Sequence, residues 1–354
     1  HTRYISVTVV QTCALPICAV MSCTAIRNLG SNRVLVLVDC KRVTQSSTGV
    51  GQCVDMNSIP VMAISSIEIL EDGGSELYGA DAVYGVINIK MKHDVNTGGV
   101  TMRGSLTQYG DNRQFMASAY KGWNFDHNRG NVTIFGQFSH QDGVKQRDRK
   151  WARNPQVSNT SSGSQSYGSV ISTSGTFFND AGSPVFNGNS AGGLTPYSSS
   201  SRYNYAQDQS LLNELDNSSL MGDAHYDFNK HFTLYSNVMY SHKTSSTTMA
   251  PMPATGSNPP STRPSSIIIP SNYPGNTSGE ELQMYRRMDE FGKRKADTSV
   301  DALTAMVGAK GDIIAGWKYD ASFTYGSTMG TMTTSGVGNY AKLLQVWGVS
   351  CNTR

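Results

Sequence analysis

Seven histidines and six cysteines are the side chains of this 354-residue chain best suited to chemistry. Their spacing points away from catalysis. His1, His93, His127, His140, His225, His231 and His242 make no HExxH pair and no cluster at metal-ligand spacing. Cys13, Cys18, Cys23, Cys40, Cys53 and Cys351 include no CxxC and no zinc pattern with a histidine. There is no GxSxG, and Gly49-Val50-Gly51 is half of a phosphate loop without its lysine. Glu71 and Asp72 would be an acid/base couple only if they shared a face. Neighbours at a strand end point to opposite faces, so they read as a solvated turn before Gly73. The chain is therefore read as a non-enzyme with no metal and no cofactor, and its chemistry is sought in binding.

Composition narrows the class further. Charged residues make up 16% of the chain, below the roughly 25% usual in soluble domains. The net charge of +3 comes from scattered basic residues with no stripe or stacking motif, which argues against nucleic acid. No run reaches the ~18 consecutive apolar residues of a membrane-spanning helix. Cys40 and Cys53 are a candidate disulfide for an oxidising compartment, although unpaired thiols are the preferred reading. Residues 1–22 fit neither a signal peptide, being interrupted by Gln11 and Pro16, nor a mature domain. They read as a leader of adapter or vector origin.

Two patterns must position whatever binds. Between Arg33 and Lys92 strands and turns alternate as in an α+β domain. Strands are expected over Arg33–Val38, Ile67–Leu70 and Val83–Met91, a polar loop over Thr44–Val54, and a short helix over VMAISS after Pro60. Gly73-Gly74 marks a turn before a helical turn at Ser75–Tyr78. From Val100 onward the period becomes two. Leu220, Gly222, Ala224, Tyr226 and Phe228 oppose Met221, Asp223, His225 and Asp227, while Val132, Ile134 and Phe138 oppose Thr133, Gln137 and Ser139. Tyr319, Ala321, Phe323 and Tyr325 likewise share one face.

Seven such strands are read: Val100–Tyr109, Gln114–Trp123, Asn131–Gln141, Ser219–Phe228, His231–Lys243, Thr298–Ala309 and Trp317–Thr328. Alternation alone suits a β-sandwich as well as a membrane barrel. The connections decide. Asn124–Gly130, Asn229-Lys230 and Lys310–Gly316 are short, whereas Asp142–Asn217 and Thr244–Asp297 are long. Short turns on one side and long loops on the other are the habit of outer-membrane barrels, and a compact sandwich rarely carries such connections. Parity also puts Phe228, Trp317 and Tyr319 near one rim, where an aromatic girdle belongs. His140, His225 and His242 then face lumen or rim water. Ser158–Ser201 is Ser/Gly/Asn-rich and too polar to form a core. The other loop holds seven of the twelve prolines and ends in a charged, helix-like stretch, Gly279 to Lys295.

Three motifs in order complete the reading: VLVLVDCKRV from Val34, the SIP turn before IEIL, and LYGADAVYGVINI. Over about sixty residues they closely resemble the later half of the plug domain of TonB-dependent outer-membrane transporters. The resemblance implies a mainly β chain, a partial transmembrane antiparallel β-barrel behind an α+β plug fragment. The expected parts are a leader over 1–22, a partial plug over 23–97 and the first part of a barrel over 98–354. Barrels of this kind have ~22 strands around a plugged lumen, so about seven would be roughly the first third.

The resemblance further implies that the loop matching Thr44–Val54 rises to the outer face and lines the ligand site. Gln45, Ser46, Ser47 and Gln52 there offer uncharged donors and acceptors. It also implies that Asp39, Lys41, Arg42 and Asp81 lie in the polar interface between plug and barrel wall. Family members usually carry glycine where Cys40 stands. The implied partners are the TonB–ExbB–ExbD energy-transducing complex, reached through a segment upstream of Ile26, outer-membrane lipid, and a small-molecule or metal-chelate substrate such as a siderophore–iron complex or cobalamin. The implied location is the outer membrane of a Gram-negative bacterium. A signalling receptor that passes occupancy to a periplasmic anti-sigma factor, and a non-transporting adhesive barrel, are the alternatives.

Overall fold

The run LVLV forms strand β1 (Leu35–Val38), buried along its whole length. An aliphatic run without polar alternation needs cover on both faces: β1 pairs in parallel with β6 (Val86–Met91) inside a four-stranded sheet, with Val36 and Val38 in one buried cluster and Leu35 and Leu37 in another. The computed structural model describes residues 21–26, 30–47, 52–71, 73–154, 156–158, 165–189, 191–254, 267–273, 275–314 and 316–339. The leader expected over 1–22 therefore lies almost wholly outside the described residues.

Asp39 and Cys40, with φ of 49° and 62°, reverse the chain from β1 into β2 (Lys41–Arg42). A two-residue hairpin with both central residues left-handed is a type I′ turn, the geometry that matches strand twist. Strands β3 (Ser46–Ser47) and β4 (Gln52–Cys53) form a second small hairpin. A single 3-10 turn at Val61–Ala63 leads into β5 (Ile64–Leu70), which pairs antiparallel with β6. The helix expected over VMAISS is therefore one turn long. From Ile64 the β-branched residues join the sheet instead. Helix α1 (Ser75–Tyr78) stands where it was expected. Strand β6 begins later than Val83, because a 3-10 turn at Ala80–Ala82 and Gly85 come first. Gly85 has φ of 137°, and a Cβ there would meet the Leu70 carbonyl oxygen at 2.3 Å.

The plug sheet packs against a seven-stranded sheet, here called the wall. Its strands are β7 (Gly98–Ser105), β8 (Gln114–Phe125), β9 (Gly130–Gln141), β10 (Glu214–Asn229), β11 (Phe232–Met249), β12 (Arg294–Asp312) and β13 (Lys318–Ser335), adjacent in chain order. All seven expected strands are present and mostly longer. Strands β10 to β13 have 16, 18, 19 and 18 residues, against the ~9–11 that cross a bilayer.

The two rows of β10 have opposite surroundings. Leu220 and Phe228 are 54% and 51% exposed, while Met221 and Asp223 are 0% and 5%. Val132, Ile134 and Phe138 of β9 are exposed, and Thr133 is fully buried. At the short-turn end, rings lie in contact in series from Phe125 to Tyr226 (5.9 Å), Phe228 (4.7 Å) and Phe232 (5.3 Å). Of Phe228, Trp317 and Tyr319, the residues that parity places at a rim, Phe228 is in this series.

Plug and wall share one core. Val36, Val38, Ile87 and Ile89 cluster with Phe135, Met221 and Met239 of the wall. Each fully buried side chain of this size contributes roughly 1.5–3 kcal/mol. The inner row of the wall is thus apolar at Phe135, Met221 and Met239, and carries buried polar side chains at Thr133, Ser219, Asp223, Asn237 and Ser241.

Residues 144–212, 247–296 and 334–354 form a second unit. Strands Thr176–Phe178, Pro184–Gly188 and Leu194–Pro196 lie within the Ser158–Ser201 stretch. One expectation fails here. The helix-like stretch before Lys295 instead contains the strand Leu282–Met288, a 3-10 turn at Asp289–Phe291 and the start of β12. Leu282–Met288 has partners on both edges, Thr176–Phe178 on one and Met252–Ala254 and Ile267–Ile269 on the other. Those pairings and the 4.8 Å contact of Phe178 with Tyr285 outweigh local helix propensity.

Candidate functional site: the seam between plug and wall

The base of the β3–β4 hairpin is tied to the wall. Thr304 Oγ1 donates to Thr44 Oγ1 at 2.8 Å, Thr44 Oγ1 to the Leu303 carbonyl at 3.2 Å, and Thr328 Oγ1 to the Gln45 carbonyl at 3.4 Å. Ser46 pairs with Cys53 and Ser47 with Gln52, so the four candidate ligand residues come together at one hairpin. The Ser46 side chain is buried. The tip of the hairpin, residues 48–51, lies outside the described residues.

Of the four charged candidates, Lys41 reaches the wall directly and Asp39 only through His93. Lys41 Nζ lies 2.9 Å from Asp320 of β13, whose carboxylate also accepts from the Tyr235 hydroxyl. Asp39 accepts from the Met91 N–H at 2.9 Å and faces His93 Nε2 at 3.3 Å. Arg42 and Asp81 instead pair with each other within the plug, and Arg42 also donates to the Tyr78 carbonyl at 2.7 Å. Burial opposes charge on the Lys41 ammonium, yet the Asp320 hydrogen bond holds its pKa above the ordinary value.

His93, two residues beyond β6, is the centre of the junction between plug and wall. Its Nδ1 meets Asp223 of β10 at 2.9 Å while Nε2 meets Asp39 of the plug. Asp94 beside it faces His225 of β10 at 3.1 Å, so two His–Asp contacts cross the junction in opposite senses. The Asp223 hydrogen bond first, and then that of Asp39, push the His93 pKa up to about 10 against the effect of burial. His93 is therefore an imidazolium at neutral pH. A cavity of about 390 Å³ opens here, lined by Asp39, Lys41, His93, Asp223, Lys310 and Asp320 among others. That is ample room for several waters.

A second attachment is dry. Asp55 caps the 3-10 turn Met56–Ser58 through the Asn57 N–H and also receives the Lys243 ammonium of β11. The two side chains are only 6% and 2% exposed. Beside them Cys53 is bonded to Cys23, with Cα atoms 5.8 Å apart. This corrects the Cys40–Cys53 candidate. Cys40 is a free, exposed thiol, held at its turn by a 2.8 Å bond from its N–H to Asn88 Oδ1.

Sequence reasoning passed over His93, Asp55, Lys243 and Asp223 as site residues. The available signal was the charge on the inward row of β10 and β11, which a lipid-facing row would exclude. Among the described residues no group of three His, Cys, Asp or Glu side chains has the geometry to hold a metal ion. What the arrangement can do is hold, release and rehydrate.

Residues 22–86 match the TonB-dependent receptor plug domain family. The chain is 32% identical over 128 residues to the vitamin B12 transporter BtuB of Vibrio vulnificus, a match covering 35% of this chain and 19% of that protein. It is 42% identical over 74 residues to the iron-regulated outer membrane virulence protein of Vibrio cholerae, covering 20% and 11%. The matched part spans less than a fifth of either relative's length. Among solved structures, the siderophore receptor PirA from Pseudomonas aeruginosa aligns at 12% identity and TM-score 0.37, covering 88% of this chain and 44% of that one. BauA, the ferric preacinetobactin receptor from Acinetobacter baumannii, aligns at 13% and 0.40, covering 88% and 41%. The similarity is concentrated in residues 22–86 and the motifs within them, which match the plug domain of TonB-dependent receptors.

Proposed function

We propose that this chain is part of an outer-membrane transporter of a Gram-negative bacterium. It would take up a scarce, bulky ligand, a ferric siderophore or cobalamin, with energy delivered by the TonB–ExbB–ExbD complex. Strands β7 to β13 would cross the outer membrane, their exposed apolar row meeting lipid. The β3–β4 hairpin, with Gln45, Ser46, Ser47 and Gln52, would meet the ligand through uncharged hydrogen-bonding groups. Asp39 and Lys41 would hold the plug to the wall, with Arg42 and Asp81 bracing the plug behind them.

The observation that carries this reading is the shared core of β1 and β6 with Phe135, Met221 and Met239. A domain of the plug family lies on the inner row of a sheet whose other row is apolar and exposed. An adhesive sheet has no use for such a cork. Gene deletion, followed by uptake of labelled cobalamin and ferric siderophores, tests it. Uptake of at least one should fall to background and return with the gene only when the inner membrane is energised. Unchanged uptake of every candidate would contradict it.

A further inference from the structure

Residues 21–23 and 53–56 lie side by side and are joined in three ways. The Cys23–Cys53 disulfide is covalent. The Ser22 N–H donates to Asp55 Oδ1 at 3.1 Å, and the Met56 N–H to the Ser22 carbonyl at 3.0 Å. The same Asp55 is held by buried Lys243 of the wall, and the Asn57 carbonyl accepts from Asn217 Nδ2 of β10 at 2.9 Å. Val54 and Ile59, on either side, belong to the core shared with Met239. Between the two cysteines run β1, the Asp39-Cys40 turn, β2 with Lys41, and β3.

We infer that these residues form a wall-anchored clasp that keeps residues 24–52 a closed loop while the plug is drawn from its N-terminal side. Tension arriving at residue 21 crosses the disulfide to Cys53 and reaches the wall at Asp55, bypassing the loop. The loop that carries Lys41 and one strand of the ligand hairpin is then displaced as a unit or not at all, and is never paid out as extended chain. The clasp removes a sequence separation of 30 residues from the releasable length, which is at most ~100 Å of extended chain. The physiological setting rests on the proposed function, because a pull from the inner membrane is what the clasp resists. The geometry does not depend on it.

Opening the clasp takes a dithiol. Its thiolate attacks one sulfur and the Cys23–Cys53 bond breaks. Its second thiol then expels the mixed-disulfide cysteine. Two electrons and two protons pass to the cysteines, and the reductant leaves as a cyclic disulfide.

Single-molecule pulling from the N-terminal side of the membrane-reconstituted protein, before and after dithiothreitol, is the test. Reducing the protein after reconstitution avoids any demand on the folding of variants. Reduction should lengthen the extension released at the first ruptures by about 90–100 Å, and Cys23→Ser with Cys53→Ser should give the long extension without reductant. Equal extension with and without dithiothreitol would overturn the clasp. Asp55→Asn in the oxidised protein should lower the first rupture force, and an unchanged force would overturn the anchoring to the wall. Unchanged uptake of every ligand after gene deletion would sink the transport reading and leave the pulling result standing. Equal extensions would sink the clasp and leave the transport reading standing.

Discussion

Two of the fastenings between plug and wall, one in a dry place and one in a wet one, obey different physics. At Asp55–Lys243 both partners are almost fully buried. Water cannot replace a lost partner there, so truncating one side strands a charge. At His93 the imidazole is about half exposed beside the 390 Å³ cavity, between Asp39 and buried Asp223. Solvent reaches the imidazole and can substitute for its contact with Asp39, so that pair sets position more than it adds stability.

The difference can be sharpened by substitution, reading local opening from hydrogen exchange of the β1 and β6 amides in the membrane-inserted protein. Asp55→Ala should be the most damaging change, costing about 3–5 kcal/mol by leaving Lys243 buried without its partner. Lys243→Met should cost less, because Asp55 keeps its bonds from the Ser22 and Asn57 N–H groups. Equal costs would show that the pair is not the dry contact described. Removing the disulfide by Cys23→Ser with Cys53→Ser should cost about 3–4 kcal/mol on the loop-entropy model for its length.

His93→Gln should cost no more than about 1 kcal/mol, given its exposure. Its pH dependence is the more telling readout. With the pKa raised by folding to about 10, the imidazolium contributes fully below the ordinary histidine value near 6.5, and that stability is lost as pH rises through about 10. Wild-type protection should therefore be highest below about pH 6.5, fall steadily above it, and converge on the His93→Gln variant near pH 10. Convergence near pH 6.5 would mean that Asp39 and Asp223 do not hold the charge. The smallest effect concerns Cys40, whose φ of 62° favours glycine. Cys40→Gly should stabilise the plug by about 0.5 kcal/mol, the relief of a left-handed residue less the entropy glycine adds to the unfolded chain.

The wall was legible because its signal is repeated. Seven alternating segments reinforce one another, and Leu220/Met221 or Val132/Thr133 state the two faces residue by residue. Helix α1 was legible from local chemistry, the Gly73-Gly74 turn before it. Pairings set by distant segments were not. Nothing near Leu282 announces that Thr176–Phe178 will flank it, and nothing near Cys53 prefers Cys23 over Cys40. Lys41 and Asp39 could be placed at the seam from the plug motifs. Their partners Asp320 and His93 lie 279 and 54 positions away in the chain, and only the folded sheet brings them together.

The most direct test of plug-in-wall packing is a spin-label scan along β10 of the membrane-inserted protein, with residues 219 to 224 replaced one at a time by cysteine in a Cys40→Ser background. Positions 220, 222 and 224 should be mobile and accessible to lipid-dissolved oxygen. Positions 219, 221 and 223 should be immobile and shielded from it, and should become mobile when the plug is displaced. Oxygen accessibility without a two-residue period, or a shielded row indifferent to the plug, would contradict the account.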